Sequence, residues 1–433
     1  MIWLLLFHIL FFYKLYNNPF QLATSELLST FFPSWRWQGS MWANRKVPRY
    51  DPYYWLNSHA HPVLSTYYPI HGLSALLSHK LGLDNAFKVY VYQLLAHYLF
   101  ASIGWMLFLQ AHFSPGVSLF GAITFTYQAY HLKQQGCVVY TLSWFPWVLW
   151  SLSHITLLPI AVAMVLLAGY YPLAVYLLPM AFLASPTWQT GIAMAVGFLL
   201  ASPQLIPFIK YLPKTIRKAK SAELSCPSWE RNFYLGLIPI ILLMINPQWR
   251  YLWLLTPIIG SSLLRNFLPR IHQRAWILSS YLTIYFALSV LNPELVSYLI
   301  LIQCLDLYIH NSSLIPTRPY CELYQKPSLS SKSRLIMYLK KNLGSSRVSG
   351  LPWPHFTGQL HGLRTLGYSG GMQLKLMAKW RNDTDPNGGG KHDGSYLTDD
   401  QLTRSRVEFS YTRKKSNWLS TEILHLYRNP RLS

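Results

Sequence analysis

Charge is scarce in this sequence. Only 12% of its 433 residues are Asp, Glu, Lys or Arg, where a soluble domain carries about 25%. The shortage is concentrated before residue 310, which excludes an ordinary soluble domain for that part of the chain. Acids are scarcer still, at 15 against 37 Lys and Arg, so the formal net charge is +22. In a soluble protein that excess points to nucleic acid, but no matching fold motif is present and no nucleic acid is expected as a partner. In a membrane protein, Lys and Arg sit in loops that face anionic headgroups. Cysteine is nearly absent. Cys137, Cys226, Cys304 and Cys321 form no CxxC pair, and their wide spacing excludes both a zinc pattern and a disulfide framework. The opening MIWLLLFHILFFY has no basic residues before its apolar core and no small-residue cleavage site. It therefore reads as a short first span or the remnant of one rather than as a signal-peptide core. No internal repeat is visible.

What is abundant is apolar and aromatic: 52% of residues are hydrophobic and 16% are Phe, Trp or Tyr. The expected fold is mainly α, a polytopic helical membrane protein with a small C-terminal water-facing α/β domain. Residues 1–16 form the short first span, 17–67 an aromatic and basic extramembrane loop, 68–310 a multi-helix transmembrane domain, and 311–433 the water-facing tail. A span needs about 20 mainly apolar residues. Residues 68–79 read as an interfacial helix, 87–110 as a clear span, and 117–130 as a shorter one after the Ser114-Pro115-Gly116 turn. Pro146 predicts a kink in 140–152. Residues 157–169 and 172–183 are two spans or one broken pair, and 191–209 is one span interrupted by Pro203 and Pro207. A basic linker, 210–231, precedes apolar segments at 233–245, 253–264 and 275–291. Residues 295–309 are a last span or the first strand of the tail. In the tail, 381–395 has turn chemistry and almost no apolar content. Positive residues fall on both sides of any alternating count of spans, so the orientation stays open.

The longest polar interruption in the first 200 residues is SELLSTFFPSWRWQGSMWANRKVPRYDPYYWLNSHAHPVLSTYYP, residues 25–69. No element of its own is visible in it. A loop of this length is usually functional or disordered, and its aromatics argue against disorder. Rings and cations beside spans suit a folded layer at the lipid headgroups. Its acids are Glu26 and Asp51. His59 and His61 have no third ligand nearby in sequence, so no metal site is expected.

At this segment the sequence resembles the bacterial YfhO-like membrane proteins, which belong with the GT-C type glycosyltransferases. In that family an acid opens a run ending in aromatic-Pro, followed by a Pro-aromatic-Asn/Asp-Pro-Tyr motif and then an aromatic-Tyr-Pro. Here Glu26 stands seven residues before Pro33, Val47-Pro48-Arg49-Tyr50-Asp51-Pro52-Tyr53 fits the second element, and Tyr67-Tyr68-Pro69 fits the third. Downstream, Trp144-Phe145-Pro146-Trp147, Gln204-Leu205-Ile206-Pro207 and Tyr234-Leu235-Gly236-Leu237 are similar to further family elements. So are Arg347-Val348 and His361-Gly362-Leu363 through Gly367-Tyr368. The chain departs from the family in being shorter, in having Glu26 for the usual Asp, and in placing Asn57-Ser58-His59-Ala60-His61 where the family has glycines.

The resemblance implies transfer of a sugar from a polyprenyl-phosphate carrier to a cell-envelope glycan or polymer acceptor, by a multi-pass protein of the bacterial cytoplasmic membrane. It implies a carboxylate base for the acceptor hydroxyl, Glu26 or Asp51. It also implies cations for the lipid phosphate, among Arg36, Arg45, Lys46 and Arg49. Membrane lipids are partners; no cofactor is implied, with a divalent cation left open. The plainer alternatives are a helix-start acid for Glu26, a turn residue for Asp51 and headgroup contact for each cation. The rival to an enzyme is a lipid-linked substrate transporter or an inactive relative. A transporter usually carries charge or broken helices at mid-membrane. The apolar segments here hold almost no charge, and the Tyr170-Tyr171-Pro172 break fits that alternative.

Overall fold

A computed structural model of the chain describes residues 1–22, 31–48, 65–128, 131–132, 136–211, 215–216, 295–312, 341, 347–349, 373–374, 407–414 and 423–428. The protein is mainly helical. It divides into two compact units: Met1–Leu22, Val91–Leu205 and Ala219–Thr317 form the first, and Ala23–Tyr90, Ile206–Lys218 and Arg318–Ser433 the second. The apolar segments expected at 233–245, 253–264 and 275–291, and most of the tail, lie outside the described residues.

The first unit opens with α1 (Ile2–Phe11) and α2 (Tyr13–Asn17). Helix α5 (Leu83–Gln110) is the longest, at 28 residues; its residues 83–90 belong to the second unit and 91–110 to the first. There follow α6 (Pro115–Tyr127), α7 (Cys137–Ser151), α8 (Leu158–Leu167), α9 (Tyr171–Ala184), α10 (Trp188–Leu200) and α11 (Ser202–Tyr211, whose residues 206–211 belong to the second unit), with α12 (Val296–Asn311) after the undescribed stretch. Among the described residues, α5 alone is long and apolar enough to cross a membrane. Residues of α10 and α11 qualify together only as a pair bent by 75°. The one span expected over 191–209 is therefore two helices. Pro203 sits in the first turn of α11, where its missing N–H costs nothing, and so it starts a new helix.

Helix α8 is apolar all round and is buried by α7 on one side and α10 on another, as expected of a core helix. Gly197 of α10 sits so close that a Cβ there would lie 2.8 Å from the Pro159 carbonyl oxygen. Gly169 (φ 89°) turns the chain from α8 into α9, which makes them separate helices. Trp147, next to Pro146 inside α7, stacks on Phe100 at 4.6 Å and donates its indole N–H to the Phe100 carbonyl at 3.0 Å.

Side-chain amides tie distant helices together at their ends, where carbonyls lack intrahelical partners. Gln204 Nε2 donates to the Leu167 carbonyl at 3.0 Å, closing the end of α8. Asn311 Nδ2 donates to the Tyr127 carbonyl at 2.8 Å, closing the end of α6, and Gln303 Nε2 donates to Thr124 Oγ1 at 3.2 Å. These two contacts pin α12 to α6, and they settle residues 295–309 as helix rather than strand.

His8 anchors α1. Its Nδ1 lies 2.7 Å from the Tyr127 hydroxyl and its Nε2 2.9 Å from that of Tyr16. An imidazole with one N–H donates to one hydroxyl and accepts from the other. We expect His8→Leu to cost about 1–3 kcal/mol, the loss of two hydrogen bonds at about 0.5–1.5 kcal/mol each, while the buried Tyr127 hydroxyl keeps Ser102 as a partner. Adding Tyr127→Phe should not restore the loss, since Tyr127 is bonded to Ser102 as well. Thermal unfolding of the single and double variants in detergent checks both outcomes.

His131 lies in the link between α6 and α7, its ring 4.9 Å from that of Tyr98, whose hydroxyl donates to the His131 carbonyl. Burial pushes the His131 imidazole down from 6.5 to about 3. The unfolded chain takes up this proton as pH falls below 6.5 and the folded chain does not until about 3. Stability is therefore lost across that window as pH falls. The melting temperature should drop between about pH 7 and about pH 4, and His131→Gln should flatten the slope.

The second unit contains α3 (Phe32–Ala43), α4 (Pro69–Ser78) and five short strands. β1 (Thr215–Ile216) pairs antiparallel with β3 (Gln373–Leu374). β4 (Val407–Lys414) lies between β2 (Arg347–Ser349), parallel to it, and β5 (Ile423–Arg428), antiparallel.

Candidate functional site

Helix α3 corrects the expectation that residues 25–69 hold no element of their own. Its sequence, FPSWRWQGSMWA, opens on a proline in the first turn, where proline is tolerated. Phe32, Trp35 and Trp42 share one side of it, but Trp37 is buried on the opposite side, and polar Ser34 and Gln38 are buried as well. No amphipathic pattern announces such a helix.

Helices α3 and α4 run antiparallel, since residues late in α3 meet residues early in α4. Trp35 donates its indole N–H to Ser74 Oγ at 3.2 Å, while Trp42 packs its ring 6.0 Å from that of Tyr67. Midway, Gly39 lets the two backbones touch: a Cβ on it would lie 2.6 Å from the Ala75 carbonyl carbon. The outer side of α3 is closed by α5, with Phe32 against Phe87 at 5.1 Å and Trp35 against Tyr90 at 5.3 Å.

The end of α3 is a Schellman motif. Arg45 N–H donates to the Trp42 carbonyl and Lys46 N–H to the Met41 carbonyl, each at 2.9 Å. Asn44 Nδ2 adds a bond to the Ser40 carbonyl at 2.7 Å. The residue that reverses the chain is Arg45, at φ 56°. Glycine normally fills that left-handed position, and a side chain there costs roughly 1–2 kcal/mol. The result is that Arg45 and the adjacent Lys46 are both exposed.

The structure thus separates the sequence-predicted cations. Arg45 and Lys46 stand at the end of the hairpin that carries Tyr67. Arg36 lies near the other end, half-buried, and donates to the Leu81 carbonyl at 2.8 Å just beyond α4. Arg36 and Arg45 are nine residues apart, about 13 Å along a helix. The bond to Leu81 makes Arg36 a tie between α3 and the turn into α5. Glu26, Arg49 and Asp51 lie outside the described residues, as do His59 and His61. Of the family-like elements, Tyr67-Tyr68-Pro69 forms the entry to α4, with Tyr68 fully buried and Pro69 in the first turn. Trp144-Phe145-Pro146-Trp147 lies within α7, and Gln204 is the cap on α8.

Sequence reasoning did not single out Gly39, Trp42 or the backbone of Arg45. A lone glycine inside an aromatic run was the one local signal for the first of them. Among the described residues, no group of three or more His, Cys, Asp and Glu is placed to hold a metal ion. The hairpin end offers two exposed cations beside an aromatic pair, a setting able to receive a phosphate carried on an apolar or sugar-bearing group. No known family model matches the chain, and no curated protein matches it.

Proposed function

We propose that this chain is a multi-pass membrane glycosyltransferase of GT-C type, moving a sugar from a polyprenyl-phosphate carrier to a cell-envelope acceptor in the bacterial cytoplasmic membrane. The observation that carries the reading is the hairpin end, where Arg45 is held at φ 56° beside Lys46 and close to the Trp42–Tyr67 pair. Arginine in a position suited to glycine is a local strain, and such strain persists where the surroundings and the function require it. The resemblance implies that the acids of the same segment, Glu26 and Asp51, act with these cations.

In this reading the acceptor hydroxyl attacks the anomeric carbon of the donor sugar. The new carbon–oxygen bond forms as the bond from that carbon to the phosphate oxygen breaks, and the electron pair leaves with the polyprenyl phosphate. Glu26 or Asp51 takes the hydroxyl proton. Arg45 and Lys46 offset the charge that develops on the leaving phosphate. No redox partner is needed.

The second reading is a transporter of a lipid-linked substrate or an inactive relative, favoured by the 75° break between α10 and α11. Helices interrupted in this way line the central sites of many transporters. The test is transfer by the full chain in nanodiscs from a panel of polyprenyl-phosphate sugars. Transfer supports the enzyme. Donor binding with no transfer from any sugar in the panel replaces it with the second reading.

A further inference from the structure

Helix α4 is built inside out. Its buried positions are His71, Ala75 and Ser78, small or polar residues, of which Ala75 meets Gly39 of α3. Three of its four large apolar residues face outward, with Ile70 40%, Leu73 58% and Leu77 72% exposed, and Leu76 is half-buried. These recur at i, i+3 and i+7, one continuous face, and Leu81 extends it beyond the helix at 37% exposed. A water-facing helix would have the opposite distribution. At 10 residues α4 is about 15 Å long, half of a bilayer core of about 30 Å. It cannot cross.

Charge marks how it lies. Because the two helices are antiparallel, exposed Arg45 and Lys46 sit at the N-terminal end of α4 while exposed Lys80 sits at its C-terminal end. From residue 31 to 48 and from 65 to 90 the only acid is Asp84, on the first turn of α5. A helix with cations at both ends and an apolar stripe between them satisfies all of these groups when it lies in the membrane plane, stripe in the acyl region and cations at the phosphates.

We propose that the α3–α4 hairpin is a lipid-binding surface, on which Ile70, Leu73 and Leu77 enter one leaflet of an anionic bilayer while Arg45, Lys46 and Lys80 contact its headgroups. This rests on the membrane reading of the chain, and it shares Arg45 and Lys46 with the donor phosphate proposed above, whereas the apolar stripe and Lys80 belong to the surface alone. The surface turns α3 and its aromatic end into a platform fixed at headgroup depth. It specifies a partner, anionic lipid, whatever the sugar.

The test uses the full chain with its native cysteines replaced and one nitroxide label introduced at a time, through Leu73→Cys, Leu77→Cys or, as a control on α12, Tyr298→Cys. Each is reconstituted in phosphatidylglycerol-containing or purely phosphatidylcholine nanodiscs. Collision of the label with oxygen, which concentrates in lipid, is compared with collision with a water-soluble nickel chelate. The proposal expects lipid-like collision at positions 73 and 77, stronger in anionic discs. Combining Arg45→Gly, Lys46→Gln and Lys80→Gln should weaken the surface population about fivefold per cation. Arg45→Gly keeps the Schellman end, so that loss is not a folding defect. Water-like collision at 73 and 77 with lipid-like collision at 298 overturns the hairpin surface and leaves the membrane reading standing. Water-like collision at all three positions overturns both. Shielding from both reagents, with spin–spin broadening between labels at 73, means that a second copy covers the face and also overturns the proposal.

Discussion

Either Glu26→Gln or Asp51→Asn is expected to lower sugar transfer by about a hundredfold or more, the scale of a lost general base. Donor binding should be nearly unchanged in that variant, because the base meets the acceptor proton and not the phosphate. The effect belongs in kcat. Arg45→Gly should behave in the opposite way. It relieves the left-handed strain at the end of α3 and leaves the fold intact, while it removes a charged hydrogen-bond donor to phosphate. Donor KM should rise by about tenfold or more, in line with about 1.5–3 kcal/mol for a hydrogen bond to a charged group. Steady-state kinetics of the three variants on one donor separate the roles. The assignment fails if wild type transfers sugar and both acid variants match it. Chain connectivity is compatible with the pairing: Asp51 follows Lys46 by five residues, a reach of at most about 18 Å.

Gly39→Val is the most damaging single change expected in the described residues of the second unit. A Cβ at position 39 would meet the Ala75 carbonyl, a backbone group that cannot rotate away. The helices must separate, and the Trp35–Ser74 and Trp42–Tyr67 contacts on either side of the crossing go with them. Overpacking of this kind costs typically about 1–3 kcal/mol, and the absence of any yielding side chain puts this site at the top of that range or beyond. Gly104 is the comparison. A Cβ there would lie 2.6 Å from Trp147 Nε1, an atom of a side chain that can move only by giving up its stacking and its bond to Phe100, a smaller cost than displacing a helix backbone. Thermal unfolding in detergent should therefore show a larger loss for Gly39→Ala than for Gly104→Ala, and a larger one again for Gly39→Val. Ala75→Gly should not rescue the valine variant, since the obstacle is a carbonyl and not the Ala75 methyl. Rescue would show that the crossing is looser than the Gly39–Ala75 approach implies.

Local signals carried the helices well where they existed. The apolar run at 68–79 is α4 at Pro69–Ser78, and that at 172–183 is α9 at Tyr171–Ala184. In each, a proline at the start and an unbroken apolar stretch are readable without neighbours. Helix α3 was not readable, because its rings are packed on several sides by α4 and α5 and so leave no polar face to set a period. The interruption of the 191–209 segment was legible, but not that it is a bend of 75° between two helices. Pro203 and Pro207 were visible, but whether a proline kinks one helix or begins another depends on what holds the next segment, here Gln204 on the end of α8.

The candidate site divides in the same way. Composition and order of residues determined that residues 25–69 are an aromatic, cationic and nearly acid-free segment beside apolar helices, since charge and hydropathy are properties of the residues themselves. They determined which cations and acids are available. Only the tertiary structure decided which cations stand together. Arg36, Arg45 and Lys46 look equivalent along the chain, but the antiparallel crossing at Gly39 and Ala75 sends Arg36 to Leu81 at one end and leaves Arg45 and Lys46 exposed at the other. That crossing rests on contacts between residues more than thirty positions apart, and no local pattern encodes their geometry.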